Sequence, residues 1–166
     1  MFELKPIRRE SIPAALEKAR HYRLLNEPMQ AESICLDILE VEPGHQDALI
    51  TLLLALTDQF ERTLSEPFQR ACALLPRLKD PYHRAYYDGL ICERRAKAHL
   101  RQGTPGAGHL AYAWFRQAME RYEAAEPLSP EGNDDAILRW NTCARIIMRH
   151  PEVRPEPEYP RPAMLE

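Results

Sequence analysis

Glycine is scarce in this chain, at 6 of 166 residues. A barrel or sandwich with many tight turns needs more of it, and so does a glycine-rich phosphate loop. Long apolar runs are missing as well. The most apolar stretch, Ala48 to Leu56, is interrupted by Thr51, and a membrane-spanning helix needs about 20 apolar residues. Basic excess is also lacking: 22 Lys+Arg against 25 Asp+Glu give a net charge of −3, which argues against nucleic acid as a partner. The cysteines, Cys35, Cys72, Cys92 and Cys143, form no CxxC pair. Each falls among apolar residues in a helical pattern, so they read as small buried hydrophobes in a reducing compartment and not as zinc ligands. No two histidines stand at i, i+4, and neither HExxH nor GxSxG occurs. Asp134 and Asp135 are adjacent in sequence only, and they read as a complement to a helix dipole. The chain is therefore expected to be no enzyme and to hold no metal or cofactor. Its start, MFELKPIRRE, lacks the apolar core of a signal peptide, and the expected location is cytoplasmic.

Apolar residues at 45% and charged residues at 28% are ordinary for one foldable domain. Proline is frequent, at 15, and it punctuates a series of amphipathic segments. Apolar residues recur at helical spacing in seven of them. The expected helices start near Ser11, Pro28, His45, Ser65, Pro81, Leu110 and Asn133. Ser65, Asp80 and Asn133 read as N-caps, and Pro28 and Pro81 as first-turn prolines. The third helix is expected to run to about Arg62 and to be apolar nearly all round, as at the centre of a stack. Pro76 should end the fourth. The Gly103–Gly108 segment is the one clear flexible loop. Residues 151–166 contain five prolines and read as an extended, disordered tail, in which Val153, Tyr159, Met164 and Leu165 are the residues able to dock.

The helices fall into pairs, and the pairs share a period. NEPMQAESICLDIL from Asn26 and SEPFQRACALLPRL from Ser65 both read Glu-Pro-bulky-Gln, 39 positions apart. QAMERYEAAEPLSP from Gln117 is a third copy. In these positions the chain resembles the tetratricopeptide repeat (TPR) family, whose units of about 34 residues are antiparallel helix pairs. Ala19 and Tyr22 match the small-then-aromatic pair of a first helix, and Ala31, Cys35, Ile38 and Pro43 match the second. Further along, Gly89 matches the first helix of the third unit, and Ala118, Tyr122, Ala125, Leu128 and Pro130 match its second. Small residues let helices approach closely while large ones fill the space beside them. Pro76, the glycine-rich insertion and Asp88 depart from the pattern. Asp88 is expected either to be exposed by a register shift or to pair with an arginine such as Arg84.

The resemblance implies an all-α, right-handed α-solenoid of about three helix pairs and a closing helix over residues 1–150. It also implies a concave groove lined by the first helix of each pair, which binds a peptide, a helix or another protein segment as an adaptor, scaffold or co-chaperone-like module. The implied lining is Leu16, Arg20 and Arg23; Ile50, Leu54 and Thr57; His83, Tyr86, Leu90 and Glu93; and Ile137 and Asn141. Leu16 and Arg20 stand where the carboxylate clamp of some family members would begin, so that clamp is not expected. Two rivals are an enzyme with an unrecognised site and a helical repeat that binds nucleic acid through Arg94, Arg95, Lys97 and Arg101. Homodimerisation, through the apolar third helix or the tail, is compatible with the groove reading.

Overall fold

The computed structural model describes residues 1–157. Tyr159, Met164 and Leu165 lie outside that range. The described residues contain α-helices and 3-10 turns and no strand. The helices are α1 (Ile12–Leu24), α2 (Pro28–Val41), α3 (Gln46–Thr57), α4 (Ser65–Leu74), α5 (Pro81–Gln102), α6 (Ala107–Ala125) and α7 (Asp135–Arg149). None of them is long and apolar enough to cross a membrane.

The prolines and caps account for most of the boundaries. Pro28 and Pro81 open α2 and α5, where a missing N–H is no loss. The Asp80 carboxylate accepts the Tyr82 N–H at 2.9 Å. Asn133 Oδ1 accepts the Asp135 N–H at 2.9 Å, so the expected cap works from one residue before the cap position itself. Gly103, at φ +61°, closes α5 in the left-handed region, as glycine does at helix ends. Three expectations shift. Leu64, not Ser65, holds the cap position of α4. α6 starts at Ala107, directly behind Gly106 at φ +80°, and not near Leu110. α3 stops at Thr57, whose hydroxyl donates back to the Leu54 carbonyl at 2.8 Å, and residues 58–62 are turns. Pro76 does end α4, in the 3-10 turn Leu75–Arg77.

Successive helices pack on one another, most extensively α5 on α6. In addition α1 touches α3, and α3 touches α5. The apolar interior has two parts. One gathers α1 to α4 around Leu49, Leu53 and Leu56, with Phe60 and Leu78 beside them. The other gathers α5 to α7 around Phe115, Met119, Tyr122 and Cys143. At 22 residues, α5 spans roughly 33 Å and contributes to both: Ile91 and Ala98 to the first, Cys92 and Ala96 to the second.

One sequence expectation is corrected here, and another is met by a different partner. The boundary at residue 150 falls inside packed structure: Val153 is 3% exposed within the second cluster, and the Arg154 carbonyl lies 2.9 Å from His109 Nδ1. Gly108 lets the chain pass, since a Cβ there would sit 2.2 Å from the Glu152 carbonyl oxygen. Asp88 pairs with Arg121 of α6 at 2.9 Å. Arg84 instead donates to the carbonyls of Leu78 and Lys79.

Candidate functional site

Polar contacts cross from one odd-numbered helix to the next. Arg20 of α1 reaches Asp47 of α3 at 3.3 Å and Glu17 of its own helix at 2.8 Å. Arg23 forks onto Asp58, with Nε donating to Oδ2 at 2.7 Å and NH2 to Oδ1 at 3.2 Å. Arg94 of α5 donates to the same Oδ1 at 3.3 Å. Asp58 occupies the C-cap of α3, where the helix dipole disfavours a carboxylate. The two guanidiniums offset that penalty and tie α1, α3 and α5 together. Further along, Arg139 of α7 reaches Glu93 of α5 at 3.3 Å.

The expected groove residues divide by exposure. Arg20 is exposed, and Arg23, Ile50, Leu54, His83, Tyr86 and Asn141 are half-buried. Ile50 packs against the first core cluster. Tyr86 stacks on Tyr82, with ring centroids 5.6 Å apart, and meets Tyr87 edge-on at 5.1 Å. His83 Nδ1 lies 3.7 Å from Asp80 Oδ2, and its ring is 5.8 Å from that of Tyr87. Ile137 is exposed. Leu90, Glu93, Leu16 and Thr57 present no open surface: Leu90 is 1% exposed and Glu93 0%, and the other two are buried as well. The resemblance implied an open lining of His83, Tyr86, Leu90 and Glu93 along α5; Tyr122 of α6 and Arg139 of α7 cover Glu93.

Glu93 is the centre of a buried polar group. It accepts Tyr122 Oη at 2.6 Å and Lys97 Nζ at 2.5 Å, besides Arg139. Burial and the adjacent carboxylate push the Tyr122 hydroxyl well above its ordinary pKa. Burial alone would lower the Arg139 guanidinium, but Glu93 and Tyr86 outweigh it and hold that group above its usual value. A buried carboxylate is stable only when its oxygens are satisfied, and here three donors from α5, α6 and α7 satisfy them.

The thiols of Cys35, Cys92 and Cys143 are pushed up to about 12 by burial, which keeps them protonated and poor nucleophiles at neutral pH. The α5 cations weighed as a nucleic-acid stripe each have a partner of another kind. Arg94 pairs with Asp58, Lys97 with Glu93 and Arg101 with Glu61. The Arg95 guanidinium lies between two rings, 4.0 Å from the centre of Phe68 and 4.1 Å from that of Trp114. Asp58 and Arg139 were missed as site residues. A single acid directly behind the apolar run of α3 is the signal that could have marked Asp58.

Over the described residues these features define an all-helical fold whose odd-numbered helices are cross-linked by ion pairs and in which Tyr82, Tyr86 and Tyr87 cluster on α5. In comparisons with protein-family models, curated proteins and solved structures, nothing matches the chain.

Proposed function

We propose that the chain is a TPR-like α-solenoid and a non-catalytic protein-interaction module, acting as an adaptor or scaffold in the cytoplasm. The face shared by α1, α3, α5 and α7 takes an extended or helical segment of a partner protein. One observation carries this reading: α1 meets α3 and α3 meets α5, with ion pairs running across that face from Arg20 to Arg139. Helix pairs stacked with their first helices side by side create such a surface. Its contact residues are Arg20, Arg23, Ile50, Leu54, His83, Tyr86 and Asn141, with Leu90 and Glu93 supporting it from beneath. Tyrosine and arginine suit this role, because both offer a flat apolar body together with hydrogen-bond donors.

The test is affinity capture from the native cell extract with mass-spectrometric readout, comparing the full chain with the double variant Arg20→Glu, His83→Ala. Both side chains reach solvent, so the variant should keep the helical circular-dichroism spectrum. A specific partner captured by the full chain and lost with the variant supports the groove. A partner retained at equal yield overturns this placement of the binding face.

A further inference from the structure

Where α1 and α3 end, the last residues of α1, the turn after α3 and α5 line a cavity of about 350 Å³. Four guanidiniums line it, those of Arg23, Arg62, Arg94 and Arg101. The carboxylates in the lining are Asp58 and Glu61, and both are taken. Asp58 receives three N–H bonds from Arg23 and Arg94, and Glu61 pairs with Arg101. Among the described residues Arg62 has no carboxylate partner. Arg94 Nε is buried without an acceptor. Four arginines against two carboxylates leave a net charge of +2 in this concave site, with Arg62 reaching solvent.

We propose that this pocket is an anion site for a phosphate monoester, with Arg62 as the uncommitted guanidinium that closes on it. The charge decides the class. A monoester carries close to two negative charges at neutral pH and three acceptor oxygens, which matches the site's net charge and suits guanidiniums approaching from several sides. A carboxylate would neutralise only one of the two charges. A long polyanion is disfavoured, because the chain as a whole carries −3 and so lacks the field that gathers nucleic acid. The cavity lies at the lower end of ordinary ligand sites, large enough for a phosphoryl group and the residue or small molecule that bears it. The ester has two sources, a phosphorylated side chain on a segment lying in the groove or a free metabolite. The site shares Arg23 with the proposed groove, but Arg20 and His83, the positions changed in the groove test, do not line it, so the two readings fail separately.

The experiment is a titration of the ¹⁵N-labelled full chain, following the arginine Nε–Hε resonances and the backbone amides of Asn26, Glu61 and Arg62. The probes are capped phosphoserine, phenyl phosphate, inorganic phosphate and capped glutamate. Both esters are expected to shift these resonances saturably, and more tightly than glutamate. Arg62→Glu is expected to weaken ester binding about tenfold or more while leaving the rest of the spectrum in place. Tighter binding of capped phosphoserine points to a phosphorylated side chain as the source, and tighter binding of phenyl phosphate to a small molecule. Absent shifts, glutamate binding as tightly as the esters, or ester binding indifferent to Arg62→Glu would each overturn the proposal.

Discussion

Gly89 lies under the ring of Tyr122, and a Cβ at that position would sit 2.7–2.8 Å from two ring carbons. The ring has nowhere to go, since Tyr122 is fully buried and its hydroxyl is held by Glu93. Two effects of opposite sign therefore compete in Gly89→Ala. Helix propensity favours alanine by about 1 kcal/mol, while overpacking a filled crossing costs about 1–3 kcal/mol. Because Tyr122 is fixed at both ends, the packing cost should fall in the upper part of that range, about 2–3 kcal/mol, and urea denaturation should show a net loss of about 1–2 kcal/mol. Gly44 is the matched control. No atom approaches its added Cβ within 4 Å, and its φ is not left-handed, so Gly44→Ala should be neutral or gain a few tenths of a kcal/mol through the unfolded chain. If Gly89→Ala proves as stable as the wild type, α5 and α6 are not held at this close approach.

At the scale of elements, local chemistry was legible and partners distant in sequence were not. Pro28, Pro76, Asp80, Pro81 and Asn133 place helix ends through φ constraints and hydrogen bonds a few residues long, and these are written in the sequence itself. The small residue at 89 and the large one at 122 were matched to separate repeat positions, and the structure joins them. Asp88 does pair with an arginine, but with Arg121 from α6 and not with the nearby Arg84, which is drawn to carbonyls at the end of the preceding turn. The resemblance placed Glu93 in the open groove lining. Its burial depends on α6 and α7, more than 28 residues away. Arg95 shows the same limit. It sits in a charged run, yet it joins α4 to α6 through Phe68 and Trp114, one ring from each side of the divided interior. Arg95→Ala should lose about 1–3 kcal/mol, combining a two-sided cation–π contact with the packing of its alkyl stem. A double-mutant cycle with Phe68→Ala should then be strongly non-additive. Additive losses would mean that Arg95 and Phe68 contribute separately and that no staple links the two helices.

For the whole molecule, the consequential feature is that its two apolar clusters meet along one long helix and that the second is closed by a return of the chain after α7. Val153 completes that closure, with the Glu152 carbonyl crossing Gly108 and the Arg154 carbonyl meeting His109. α7 needs the support: of its residues only Ala136 and Cys143 are fully buried, and Met148 is 82% exposed. Composition concealed this, because a proline-rich sequence also describes a loose tail; what distinguishes residues 151–154 is the apolar Val153 beside Glu152, whose carbonyl crosses Gly108 in the first turn of α6. Burying a valine contributes up to about 1.5–3 kcal/mol, less what a compact unfolded chain already buries. A chain ending at His150 should therefore be less stable than one ending at Pro157 by about 1–2 kcal/mol. Hydrogen exchange should locate the loss in α7 and the first turns of α6 and leave α1 to α4 protected, because the first cluster does not include residue 153. Equal stability of the two chains would show that the return segment merely rests on the second cluster. Loss of protection throughout α1 to α4 would show that the two clusters unfold as one cooperative unit, coupled through α5.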